Sequence, residues 1–233
     1  MSQKNYNIEV LENDSGTFNL SFKVIIIGDS GVGKSCLSLM GTQNTFNQKY
    51  SPTIALEFTS FNIKINDKEI RLHIWDTCGQ ELYRSLISNF YRNSSLALLV
   101  YSIDNKDSFS SLDSWLNEIK INGTPDINLF LIGNKVDLEN KRVISKEMAE
   151  TFSKNNNIQY FFETSAKTGF NAQNVFIEAA KLLYEQHIQH QERLSKIDPL
   201  LHLNNDKNNL LEPIKEDEED DNPGQNERKK KCC

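Results

Sequence analysis

The run Gly28-Asp29-Ser30-Gly31-Val32-Gly33-Lys34-Ser35, followed by Cys36, holds the residue types that a polyphosphate requires. Its glycines permit a tight turn that aims backbone N–H groups at phosphate oxygens. Lys34 adds a mobile positive charge, and the Ser35 hydroxyl can ligate Mg²⁺ at the start of a helix. The run directly follows an apolar, strand-like segment and precedes a helical one, which is the context such a loop needs. It reads as a nucleoside-triphosphate site.

A phosphate loop does not choose a base, but three later motifs bear on that choice. Asn134-Lys135-Val136-Asp137 follows the apolar segment from Ile127 to Gly133, at a strand end where a loop faces the ligand. The Asp137 carboxylate can accept hydrogen bonds from N1–H and N2–H₂ of guanine, a donor pair that adenine lacks. Glu163-Thr164-Ser165-Ala166-Lys167 ends the next strand, so the amides of Ser165, Ala166 and Lys167 can reach the same base. In Trp75-Asp76-Thr77-Cys78-Gly79-Gln80-Glu81, Asp76 suits a Mg²⁺ carboxylate acting through water. In the same motif Gly79 offers an N–H to the γ-phosphate, and the Gln80 amide can orient a water.

These motifs must be carried by alternating elements. Phe22 to Gly28, Leu96 to Ile103, Ile127 to Gly133 and Ile158 to Glu163 are short apolar runs bounded by polar turns, and they read as strands. Gly33 to Met40, Ser108 to Ile121, Ser145 to Asn155 and Asn171 to His187 carry apolar residues at helical spacing, with Ser108 and Ser145 placed as caps. Phe58 to Ile65 and Glu69 to Trp75 are joined only by Asn66, Asp67 and Lys68, which predicts an antiparallel hairpin. The expectation is an α/β, doubly wound fold. Its sheet is six-stranded and mostly parallel, with one antiparallel edge strand and helices on both faces.

Composition narrows the class. The 233 residues carry a net charge of -6, which argues against a nucleic-acid partner because phosphate-tracking surfaces need clustered positive charge. No apolar run reaches the length of a membrane helix; the longest, near Leu96 to Ile103, is strand-sized. Cys36, Cys78, Cys232 and Cys233 form neither a disulfide framework nor a zinc spacing, so reduced thiols are expected. Residues 1–20 read as a flexible extension, 21–187 as the nucleotide-binding domain, and 188–233 as a disordered tail. That tail holds an acidic block, Glu216 to Asp221, and a basic one, Arg228 to Lys231.

With these motifs in this order, the sequence resembles the Ras superfamily of small GTPases and, within it, the Rab family. The Rab likeness rests on Thr53-Ile54-Ala55-Leu56-Glu57-Phe58, Arg71 to Trp75, Phe90-Tyr91-Arg92, Leu99-Val100-Tyr101 and the terminal Lys-Lys-Lys-Cys-Cys. The resemblance implies that Gln80 positions the hydrolytic water, that Thr53 joins Ser35 and Asp76 around Mg²⁺ in the GTP state, and that Phe46 flanks the guanine. It further implies an effector face of Phe58, Trp75 and Phe90, and switch segments near Asn44 to Glu57 and Cys78 to Arg92. Cys232 and Cys233 resemble a doubly geranylgeranylated end.

The implied cofactors are GTP or GDP with Mg²⁺, and the implied activity is slow GTP hydrolysis accelerated by a GTPase-activating protein. The implied partners are that protein, an exchange factor, effectors, and prenylation-escort and dissociation-inhibitor proteins. The implied place is the cytoplasmic face of an intracellular or plasma membrane, with a cytosolic pool, in vesicle trafficking. Ala55, Cys78 and Leu82 depart from the usual Gly, Ala and Arg. Cys78 and Ala55 leave open a second reading, a constitutively GTP-loaded binding module with impaired hydrolysis.

Overall fold

The computed structural model describes residues 6–11, 16–47, 57–77, 90–125 and 127–205, with side chains through residue 195. The strands are β1 (Ile8–Leu11), β2 (Leu20–Ile27), β3 (Glu57–Ile65), β4 (Lys68–Asp76), β5 (Leu96–Ser102), β6 (Asn128–Asn134) and β7 (Tyr160–Glu163). They form one sheet in the order β1-β3-β4-β2-β5-β6-β7. β2 pairs in parallel with β4 and β5, and the parallel pairing continues through β6 to β7. β3 runs antiparallel to β4 as the hairpin predicts, with Asn66 in the left-handed conformation (φ 52°) that asparagine tolerates.

Among the described residues the sheet has seven strands, where the sequence predicts six. The additional strand is β1, whose residues the sequence reading had placed in a flexible extension. It pairs antiparallel with β3, Ile8 opposite Ile65 and Leu11 opposite Asn62. Asn66 anchors its entry: the Asn66 N–H donates to the Asn7 carbonyl at 2.8 Å, and Asn66 Oδ1 accepts from the Asn7 N–H at 3.1 Å. Tyr6 then meets Tyr184 edge-on, with ring centroids 5.9 Å apart.

The helices are α1 (Lys34–Gln43), α2 (Lys106–Ser110), α3 (Leu112–Asn122), α4 (Lys146–Asn155) and α5 (Ala172–Asn205). A strand points successive side chains to opposite faces, and both faces here are covered, which is why β2 and β5 read as continuous apolar runs. Val24 and Ile26 join Leu37, Phe61, Phe130 and Phe176 in one buried cluster. Ile25 and Ile27 join Leu99, Tyr101, Trp115 and Leu131 in the other.

Ser145 caps α4 as expected, accepting from the Met148 N–H at 3.2 Å. The helix expected from Ser108 to Ile121 is instead two, divided at Ser111, and Asn105 caps the first by accepting from the Ser108 N–H at 3.1 Å. Ser108 is buried and its hydroxyl donates to the Asn105 carbonyl at 2.8 Å, so it lies inside the turn it was expected to begin.

The chain divides into two units, 1–188 and 189–233. Where the sequence reading ends the last helix at His187, helical backbone continues to Asn205. Among the described residues no helix is long and apolar enough to cross a membrane.

Candidate functional site

A cavity of about 340 Å³ opens at the C-terminal ends of β2 and β6. One wall is Ser30, Gly31, Gly33, Lys34, Ser35 and Cys36; the opposite wall is Asn134, Lys135, Asp137, Ala166 and Lys167, with Phe46 and Thr77 completing the rim. Three lysines against one carboxylate suit an anionic ligand. Gly28, Asp29, Val32, Asp76 and Ser165 do not line it; they shape or brace it from behind.

The loop after β2 turns as its glycines allow. Gly33 has φ 96°, and a Cβ there would sit 2.5 Å from Asn134 Nδ2; one at Gly28 would sit 2.1 Å from the Val100 carbonyl oxygen. No larger residue fits either place. Lys34 is buried, and its ammonium donates to the Gly28 and Asp29 carbonyls at 2.8 and 2.9 Å, which centres positive charge inside the loop. The Val32 side chain belongs to the core, while its carbonyl faces the site. Burial pushes the Cys36 thiol up, so it is a neutral wall group at neutral pH.

Asn134 is 1% exposed and ties three segments together. Its Nδ2 donates to the Val32 carbonyl at 2.9 Å. Its Oδ1 accepts from Thr164 Oγ1 at 3.1 Å and from the Ala166 N–H at 3.3 Å. The next residue, Lys135, takes the left-handed conformation (φ 68°) and turns the chain into a short 3₁₀ helix, Val136–Lys141, that carries Asp137. Ser165 Oγ donates to Asp137 Oδ1 at 2.6 Å, which orients the carboxylate, and accepts from the Thr168 N–H at 3.1 Å. The two motifs expected to hold one base therefore meet.

At the other end, Ser35 Oγ donates to Asp76 Oδ2. The second oxygen, Asp76 Oδ1, is buried without a partner among the described residues, and burial pushes the carboxyl up to about 6 despite Ser35 and Lys34. A buried carboxylate with one oxygen unmatched beside a serine hydroxyl is a hard oxygen pair that fits Mg²⁺. Among the described residues no group of three His, Cys, Asp or Glu could hold a metal by itself.

Two further residues position the site. The Trp115 indole N–H, on α3, donates to Asp29 Oδ1 at 2.8 Å and holds the phosphate loop from below. Thr77 Oγ1 donates to the Ile26 carbonyl at 2.7 Å, fixing the chain where it leaves β4. Trp115 sits 86 residues from Asp29 on a helix whose apolar spacing already accounted for it, so no local signal marked it. Thr77 lay inside a motif whose other members took the roles.

Phe58, Trp75 and Phe90 do not reach the cavity but do meet one another. The Phe58 and Trp75 centroids are 5.2 Å apart, and those of Trp75 and Phe90 are 5.4 Å apart. His73 stacks on Phe58, and the Lys23 ammonium lies over Trp75 and Phe90 at 5.8 and 5.6 Å. Phe58 is 51% exposed. Thr53, Ala55, Cys78, Gly79, Gln80, Leu82, Cys232 and Cys233 lie outside the described residues.

A family model described as the Ras family matches residues 23–185.

Proposed function

The chain belongs to the Ras family, whose members are small GTPases that bind GTP or GDP with Mg²⁺ and meet exchange factors, activating proteins and effectors, and from that membership we propose that it is a switch of the Rab type. The observation that carries the reading is Asn134, whose one side chain joins the phosphate loop at Val32 to the base loop at Ala166. In this reading Asp137 and the Ser165–Lys167 amides take guanine, Phe46 and the Lys135 stem flank it, and the Gly28–Ser35 loop takes the phosphates.

Ser35, Asp76 through water, and Thr53 in the GTP state would hold Mg²⁺, which when bound would neutralise phosphate charge. Gln80 orients the attacking water, and Gly79 donates its N–H toward the γ-phosphate. Loss of that phosphate removes the contacts that order Thr53 and Gly79, so the segments flanking the aromatic face change with the nucleotide. Phe58, Trp75 and Phe90 then present an apolar surface that effectors read.

Cys232 and Cys233, each geranylgeranylated, would hold the chain at the cytoplasmic face of an intracellular or plasma membrane. One lipid chain anchors only marginally whereas two anchor stably. Escort and dissociation-inhibitor proteins would carry the lipidated chain through the cytosol, and its role is in vesicle trafficking.

The test is the nucleotide content of the purified full-length protein, read by chromatography before and after incubation with Mg²⁺. Conversion of bound GTP to GDP is expected. Persistent GTP would favour a permanently loaded binding module, and adenine nucleotide would overturn the reading.

A further inference from the structure

Arg142 lines no part of the cavity, yet it grips both loops that frame its base end. It directly follows the 3₁₀ helix that carries Asp137. Its Nε donates to the two Glu139 oxygens at 2.8 and 2.9 Å, and Nη2 donates to Glu139 Oε2 at 2.7 Å. Nη1 turns the other way, donating to Glu163 Oε1 at 2.6 Å and to the Ile144 carbonyl at 3.1 Å. In sequence Glu139 stands two residues after Asp137, and Glu163 stands two before Ser165.

The guanidinium therefore joins the segment that carries Asp137 to the segment that carries its hydrogen-bond partner. Only a planar fork with donors on several edges spans two carboxylates in fixed directions; an ammonium grips one point. The side chains of Arg142 and Glu163 are 18% and 19% exposed, against 67% for Glu139, so the Glu163 half is the better sheltered from solvent and salt. Behind Glu163 the brace continues, because its backbone carbonyl accepts from Asn171 Nδ2 at 3.0 Å.

We propose that Arg142 is a positioning residue for base recognition: by bridging Glu139 and Glu163 it fixes the spacing between Asp137 and the Ser165–Lys167 amides. It thereby sets how long the nucleotide stays bound and how strictly guanine is read. The inference rests on the assignment of Asp137 and Ser165 to the base under Proposed function. Arg142 touches neither phosphate nor base, so its removal should spare the hydrolytic step.

The experiment uses the full-length chain loaded with fluorescently labelled GDP in Mg²⁺ and chased with unlabelled GDP, then repeated with IDP, whose base lacks the N2 amino group. In Arg142→Ala, GDP release should be roughly tenfold faster, the scale set by losing charge-assisted hydrogen bonds. The preference for GDP over IDP should fall several-fold, and single-turnover hydrolysis of bound GTP should stay within about twofold of the parent, since hydrolysis depends on geometry at the phosphate end. Arg142→Lys should fall between the two.

Glu139→Gln, at an exposed position, removes half of the brace and serves if Arg142→Ala does not fold; it should give a smaller shift in the same directions. Unchanged release and preference overturn the proposal. So does faster release with the guanine preference intact, which would mean general loosening. A parent that itself fails to prefer GDP over IDP would overturn the base assignment as well, and so would be told apart.

Discussion

Around Asn134, polar side chains from segments far apart in sequence close on one another in a buried space, Asn134 with Val32, Thr164 and Ala166, and Ser165 with Asp137. Around Trp75, rings meet rings at centroid distances of 5.2 and 5.4 Å, and Phe58 stands half in solvent. The first region suits a ligand of fixed shape, because buried polar groups that are fully matched hold one geometry and penalise any other. The second suits a protein surface, because exposed aromatic area gains from burial only when a partner covers it. One sheet thus carries a rigid reader at its strand ends and an adaptable face across β3 and β4.

The sharpest way to break that contrast is to remove the residue that joins the loops. Asn134→Ala deletes three hydrogen bonds and leaves the Thr164 hydroxyl and the Ala166 N–H unmatched in a buried place. At about 1 kcal/mol for each bond and about as much for each of the two orphaned donors, the loss is about 5 kcal/mol, or roughly several thousandfold in nucleotide affinity. Stopped-flow release of labelled GDP would measure it, and a loss under tenfold would mean that the backbone alone holds the loops.

Asp76 gives the next largest effect, and its sign is fixed by burial. Its folded carboxyl is raised from 3.8 to about 6, so in the nucleotide-free protein the stability associated with the protonated form is present below pH 4 and lost as pH rises through 6. The shift corresponds to about 3 kcal/mol. Urea unfolding of parent and Asp76→Asn, both without nucleotide and Mg²⁺, should show the variant gaining on the parent by about that amount between pH 4 and 7. A pH-independent difference would contradict the burial argument.

Trp115→Phe keeps an aromatic ring in the buried place, but removes the N–H that holds Asp29 and trims the indole to a phenyl. The hydrogen bond alone is worth about 1.5–3 kcal/mol, the range for one to a charged group, and its loss is read as a lower unfolding midpoint of the GDP-bound protein. An unchanged midpoint would mean that the loop needs no support from α3.

Phe58→Ala should do least to the isolated protein. The side chain is half exposed, so stability should move by less than about 1 kcal/mol and GDP release not at all. A large change in nucleotide release would show that the aromatic face is part of the reader and dissolve the comparison.

The sequence made the reader legible because phosphate and base chemistry demand particular residues at particular strand ends. Gly33 must be glycine beside Asn134, and Asp137 must follow a strand that ends at the ligand. The two-faced core was legible for a similar reason, since only doubly covered strands read as unbroken apolar runs.

What stayed hidden was contact across long separations. β1 is four residues of modest pattern, and only the partner edge from Asn62 to Ile65 makes it a strand. Ser108 has the side chain of a cap, but Asn105, three residues earlier, supplies the capping oxygen, and residue type alone does not rank the two. Trp115 and Arg142 act through geometry that helix periodicity and charge patterning do not encode.

The claim on which the rest depends is that Asp137, oriented by Ser165, reads the guanine edge. Competition of GTP against xanthosine triphosphate, for the parent and for Asp137→Asn, tests it directly. Xanthine presents a carbonyl acceptor where guanine presents its amino donor, so the parent should prefer GTP and the variant should prefer xanthosine triphosphate. The expected reversal is large, because a site built to match a polar edge rejects one that leaves its groups unpaired by about 10⁴-fold. A variant that still preferred GTP would contradict the account.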